Sequence, residues 1–194
     1  MNYSFQNEKF SAKLALFIFC LAFIVWLGGI NIRAMIGYDL LQPGTLDFKA
    51  NVHPFVERAV FGFIVQSSYP IDIAYIIAWF AGIIFLMRKT VKVKDHAWIM
   101  MAAIMFYLFT PVEIYAMVLD GKMMFLDYMG SNDLVEYRKL FIHRLALLAG
   151  VPVIALLCYY TLVGVLIFQP FKKKKVADEL AVIDPSPKPE SIEK

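Results

Sequence analysis

Two long apolar runs joined by a short basic segment constrain the fold of this chain more than any other feature. From Ile71 to Met87 the only charged side chain is Asp72, and from Ala97 to Leu119 the only one is Glu113. A helix rises about 1.5 Å per residue, so each run reaches, or falls within one turn of, the thickness of a hydrocarbon layer of about 30 Å. The two runs therefore predict a transmembrane helical hairpin.

The segment between the two runs predicts how the hairpin is oriented. Residues 88–96 contain four cations, and basic loops of membrane proteins stay on the cytoplasmic side. Lys9 and Lys13 precede the first apolar run, and a basic cluster at residues 172–175 follows the last one. All three basic segments fit one topology, a multi-pass protein of a cell inner membrane with both termini in the cytoplasm.

The fold class follows from these runs together with the composition. Hydrophobic residues make up 60% of the chain and the mean hydropathy is +0.64, outside the usual range of soluble domains. We predict an all-α integral membrane protein with four transmembrane helices plus a short outer interfacial helix. Residues 1–171 form this domain, with transmembrane helices at about 12–34, 69–89, 96–119 and 134–169 and the interfacial helix at about 53–66. Residues 172–194 are expected to be a basic, then disordered, cytoplasmic tail.

Local signals mark where two of the helices begin. Pro54 suits the first position of the interfacial helix, with Asn51 or His53 as its cap. Asp133 and Glu136 have the spacing of a capping box, which predicts the start of the fourth transmembrane helix.

Other signals predict breaks. Thr110-Pro111 is expected to kink the third transmembrane helix, because proline removes a backbone donor. The segment at residues 120–122, Asp-Gly-Lys, predicts a turn after that helix. Gly150 and Pro152 predict a bend near the middle of the fourth.

On this topology, charged side chains gather at the outer ends of the helices, where they suggest an outward-facing pocket. Glu113 and His143 are the candidate catalytic groups, since a carboxyl and an imidazole can move protons. A carboxylate at the depth of Glu113 needs a partner, and Arg33 and Arg144 are the candidates. The candidate ligand-binding residues are Arg33, His53, Glu57, Arg58, Asp72 and Arg144. The competing interpretation is ordinary pairing of charged side chains at helix ends.

The same residues do not predict a metal site. Carboxylates and imidazoles suit several metals, but His53, Glu57, Glu113 and His143 lie on three separate segments without close ligand spacing. No metal is therefore predicted, and the sequence identifies no cofactor. The lysines lie at helix ends, where they face lipid headgroups, so we expect the lipid bilayer as a partner and no nucleic acid.

Two functional hypotheses remain. The first is an accessory or scaffold subunit of a larger inner-membrane complex, with a protein partner within the membrane. The alternative is a membrane-embedded enzyme or redox subunit that handles a lipid or quinone at the outer leaflet. A transporter fits less well, because few polar side chains lie in the middle of the apolar runs.

Overall fold

A computed structural model describes residues 8–89, 97–146 and 151–168 of the chain, and these residues form six α-helices. The helices are α1 (Phe10–Tyr38), α2 (Pro54–Arg88), α3 (Ala97–Tyr107), α4 (Thr110–Tyr128), α5 (Leu134–Leu145) and α6 (Val151–Phe168). Within the described ranges, four helical stretches are long and apolar enough to cross a membrane: α1, α2, α3 with α4 taken together, and α6. The predicted all-α membrane class with four membrane helices is confirmed.

The predicted interfacial helix is helical, but it is not a separate element. The segments predicted at about 53–66 and 69–89 form one continuous helix, α2, of 35 residues. Ser67 and Ser68 lie between the two predicted segments, and their hydroxyls donate to the Ile64 carbonyl at 2.8 and 2.9 Å within the helix. The predicted start is confirmed, with Pro54 as the first helical residue and the His53 side chain accepting from the Phe55 amide at 3.2 Å.

The third membrane crossing contains the predicted break and lacks the predicted turn. α3 ends at Tyr107 and α4 begins at Thr110, so the helix is interrupted just before Pro111, as expected. The turn predicted at residues 120–122 is wrong, because α4 continues without interruption to Tyr128. Asp120 is buried inside the protein, so it does not act as a solvated turn residue.

The helix predicted at about 134–169 appears as α5 and α6. Asp133 caps α5 as predicted, accepting hydrogen bonds from the amides of Val135 and Glu136 at 3.0 and 3.2 Å. Pro152 lies in the first turn of α6, whereas Gly150 falls outside the described residues. The tail at 172–194 and most of the basic loop also fall outside them.

The buried side chains form two separate cores. The first, which we call the bundle core, joins α1, α2, α3 and α6 and contains Ala22, Phe23, Trp26, Leu27, Ile71, Ala74, Tyr75, Ala78, Trp98, Ile99, Ala102, Phe106, Ala155, Tyr159, Leu162 and Val165. The second, which we call the cap core, joins the 39–53 loop to α2, α4 and α5 and contains Leu40, Leu41, Phe61, Ile64, Val65, Leu119, Met123, Tyr137, Leu140 and Phe141.

Helix lengths indicate that the cap core lies beyond the hydrocarbon layer. α2 is about 52 Å long, well above the membrane thickness of about 30 Å. In α1 the charge-free stretch runs from Lys13 to Arg33, which is about 30 Å of helix. The remaining length therefore projects on the side of Arg33. We call this projecting part, residues 39–67 and 119–145, the cap, and the opposite end with Lys13 and Arg88 the basic end.

α1 packs against α2 and α5 closely enough to require a small residue at each contact. A side chain at Gly29 would overlap that of Ile71 on α2, and one at Gly37 would overlap the Phe141 ring of the cap core. Close packing at small residues is a common way for membrane helices to associate. These two glycines therefore hold α1 against both the bundle and the cap.

Candidate functional site

A layer of buried charged side chains lies where the bundle core meets the cap core. Its centre is Asp120 of α4, only 1% exposed, with Arg33 of α1 and Arg144 of α5 on either side. The Arg33 guanidinium donates to Asp120 Oδ2 at 2.9 Å and to the Ser68 hydroxyl of α2 at 2.6 Å. We call Arg33, Ser68, Asp120 and Arg144 the charged layer.

Each side chain of the charged layer comes from a different helix. Arg144 Nε lies 2.7 Å from Asp120 Oδ1, so one carboxylate contacts two guanidinium groups. A charge buried in a protein is tolerated only when a partner offsets its loss of hydration. The layer therefore joins four helices at the level where the membrane-spanning part ends and the cap begins.

A second ion pair lies inside the cap. Glu57 of α2 is 2% exposed, and its two carboxylate oxygens accept from Arg138 Nε and Nη2 of α5, both at 2.6 Å. The hydrogen bond with Glu57 raises the pKa of Arg138 above its ordinary value. The Arg138 guanidinium also lies 5.2 Å from the ring centre of Phe48, which lines the cap core. This two-point contact fixes α5 on α2.

A third ion pair connects the start of α2 to the end of α4. Arg58 donates to Asp127 Oδ1 at 2.7 Å and to the Ser131 carbonyl at 3.3 Å. The same guanidinium stacks on the Tyr137 ring at 4.7 Å. Burial raises the pKa of the Tyr137 hydroxyl. The contacts of Arg58 thus hold α2, α4 and α5 together at the far end of the cap.

The remaining candidates lie apart from one another. Glu113 accepts a hydrogen bond from the Tyr159 hydroxyl of α6 at 3.3 Å, whereas the exposed His143 packs its ring against Tyr115 at 6.2 Å. The two candidate catalytic groups therefore face different neighbours. Asp72 lies within electrostatic range of Arg33 and Asp120.

The structure thus brings together some of the sequence-predicted residues and separates others. Arg33 and Arg144 meet through Asp120, with Asp72 and Glu113 within electrostatic range of the layer. Glu57 and Arg58 are engaged in pairs inside the cap, and His53 serves as a helix cap. The roles assigned to these residues from the sequence stay predictions.

Several partners of the predicted residues were missed by sequence reasoning. Asp120, Asp127 and Arg138 close the ion pairs, and Tyr159 binds Glu113. One signal was present, since Arg33 and Arg144 at a membrane boundary require a carboxylate at the same level. Asp120 followed by glycine resembled a turn, and this local pattern concealed its role.

Comparisons with known proteins supply no further guidance. The chain matches no protein-family model, and searches of curated proteins and of solved structures found no match. Within residues 8–89, 97–146 and 151–168, no group of three or more His, Cys, Asp or Glu side chains is arranged to hold a metal ion.

Proposed function

We propose that this polytopic membrane protein is an accessory or scaffold subunit of a larger inner-membrane complex, with its cap on the outer side and both termini in the cytoplasm. One observation carries the proposal. Large apolar side chains at the far end of the cap are 65–85% exposed, and they are Phe55, Tyr128, Met129 and Val135. We call these four residues the tip patch.

The contacts of Arg58 support treating the tip patch as one surface. Its bonds to Asp127 and to the Ser131 carbonyl hold the first turn of α2 beside the end of α4 and the loop that follows. Phe55 precedes Arg58 by about one helical turn, and Tyr128 directly follows Asp127. Val135 lies in the first turn of α5, immediately after the same loop.

The height of the tip patch argues against lipid as its cover. From Arg88 at the basic end to Phe55, α2 extends about 50 Å, which leaves the patch about 20 Å beyond a hydrocarbon layer of 30 Å. Large apolar side chains grouped in water favour burial against another protein. An apolar surface on a partner subunit is the complement that this patch requires.

The ion pairs formed by the candidate binding residues favour the scaffold proposal over the enzyme alternative. Arg33, Arg144, Glu57 and Arg58 each pair with a charged side chain of the same chain. Groups held in such pairs stabilise helix packing and are less available to grip the head group of a lipid or quinone. We therefore rank a membrane-embedded enzyme or redox subunit second.

The tip patch can be tested without disturbing the cap core. In the double variant Tyr128→Ser/Val135→Ser, we expect the stoichiometric complex extracted from native membranes in mild detergent to lose its partner, because the apolar contact is gone. The conservative double variant Tyr128→Phe/Val135→Ile is the matched control and should keep the partner. Native mass spectrometry measures the stoichiometry, and thermal unfolding checks that both variants remain folded.

Two results would contradict the proposal. One is a partner that stays bound to the serine variant as firmly as to the wild type. The other is a wild-type protein that leaves its native membrane alone, with a bound lipid or quinone in fixed amount.

A further inference from the structure

The Glu113 carboxyl, which is partly buried, differs from the buried Asp120 and Glu57 in its partner. Asp120 and Glu57 are bound by arginines, whereas the hydrogen-bond partner of Glu113 is the neutral Tyr159 hydroxyl at 3.3 Å. Among the described residues, Glu113 forms no ion pair. Tyr159 is itself fully buried, and its ring packs against Trp26 in the bundle core.

The lack of an arginine partner matters because Glu113 lies at the depth of the hydrocarbon layer. It lies 16 residues beyond Ala97, the first residue of α3, which is about 24 Å along a layer of about 30 Å. The side chain is therefore inside the hydrocarbon region, about two helical turns before Asp120 of the charged layer. An ionised carboxylate at this level is costly unless a cation or several donors compensate it.

The charged groups around Glu113 do not supply that cation. Arg33 is within electrostatic range, but it is already bound to Asp120, which Arg144 also contacts. Asp72 also lies within electrostatic range of Arg33, Asp120 and Glu113. Two guanidinium groups, Arg33 and Arg144, therefore face three carboxyl groups. The titratable and charged groups toward this region are Arg33 from α1, Asp72 and Tyr75 from α2, Asp120 from α4, His143 (beside Tyr115) and Arg144 from α5, and Tyr159 from α6.

Besides the Tyr159 donor and the nearby Arg33, one more feature favours the ionised form. Glu113 lies in the first turn of α4, where the helix dipole stabilises negative charge. This stabilisation is smaller than the cost of an unpaired carboxylate in a medium of low dielectric constant. The neutral acid is therefore the favoured state.

We infer that Glu113 is a proton-binding site within the membrane, whose carboxyl group carries a proton at neutral pH and shares a hydrogen bond with the Tyr159 hydroxyl. A tyrosine hydroxyl can donate to the ionised carboxylate or accept from the protonated acid, so the contact persists in both states. This site is independent of the proposed partner contact at the tip patch.

A hydrophobic carbodiimide provides a direct test, because it enters the membrane and reacts with the protonated acid. The carboxyl oxygen bonds to the central carbon of dicyclohexylcarbodiimide, and the carboxyl proton moves to one nitrogen as a C=N double bond becomes single. The resulting O-acylisourea rearranges to a stable N-acylurea. The addition needs no other reactant and releases no leaving group.

The full-length protein in native membrane vesicles should take up one adduct at neutral pH, mapped by peptide mass spectrometry to Glu113. The labelling rate should fall as the pH is raised, because the proton is lost. Glu57 and Asp120 are internal controls, since arginine-bound carboxylates should stay unlabelled. Glu113→Gln should remove the adduct, and thermal unfolding in detergent checks that this variant is folded.

The Tyr159→Phe variant separates proton binding from simple accessibility. Loss of the hydroxyl removes a donor to the ionised form, so labelling should persist to a higher pH than in the wild type. Folded wild-type protein without an adduct at Glu113, labelling that is insensitive to pH, or an adduct confined to Asp72 would each overturn the inference.

Discussion

Replacing Asp120 by alanine is expected to lower the free energy of unfolding by about 3–5 kcal/mol. Asp120 contacts the guanidinium groups of Arg33 and Arg144 at 2.9 and 2.7 Å, and it is almost fully buried. Its removal leaves Arg33, which is also buried, without its ion-pair partner between two apolar cores. Equilibrium unfolding in mixed detergent micelles measures the loss.

Asp127→Ala is the matched control, seven residues further along α4. Asp127 also pairs with one arginine, Arg58 at 2.7 Å, but both side chains of that pair are partly exposed to solvent. Solvent screens such a pair, so we expect a loss of about 1 kcal/mol or less. Equal losses for the two alanine variants would contradict the structural role of the charged layer.

Replacing Phe61 by alanine is expected to cost about 3–5 kcal/mol and to loosen the cap selectively. Phe61 is fully buried, stacks on Tyr137 at 5.4 Å and contacts Phe141 edge to face at 5.8 Å. Its loss would open a cavity where α2 meets α5. Hydrogen exchange should show faster exchange in α5 and in the first turns of α2, with the amides of the bundle core protected as before.

Phe63 provides the control for this change, since it lies two residues away on the same helix and is largely exposed. Phe63→Ala removes the same atoms without opening a cavity, so its effect should stay within about 0.5 kcal/mol. The cap core does not pack as an independent cluster if Phe61→Ala and Phe63→Ala lose the same free energy of unfolding. The same conclusion follows if Phe61→Ala raises amide hydrogen exchange in the bundle core as much as in the cap.

The elements that sequence analysis predicts well depend on local information. Apolar runs identify the membrane helices, because a helix in lipid must be apolar over about 20 residues. Asp133 identifies the start of α5, and Pro111 the break before α4, since capping and proline geometry act within a few residues.

The features that sequence analysis missed depend on contacts between distant parts of the chain. Asp120 meets Arg33 across 87 positions, and Glu57 meets Arg138 across 81. Nothing near Asp120 in the sequence distinguishes it from a solvated turn residue. Contacts between distant parts of the chain also explain why α2 is continuous, because α4 and α5 bury one face of its first half in the cap core.

The most direct test of the charged layer as a structural element replaces all of its charges at once, in the variant Arg33→Met/Asp120→Leu/Arg144→Met. Apolar side chains of similar size can substitute for a buried ion cluster without loss of stability, whereas removal of one partner cannot. We predict a free energy of unfolding equal to or above that of the wild type, with the partner complex retained. A triple variant that folds as stably as the wild type but has lost the complex, or one that is less stable than Asp120→Ala, would contradict this structural role.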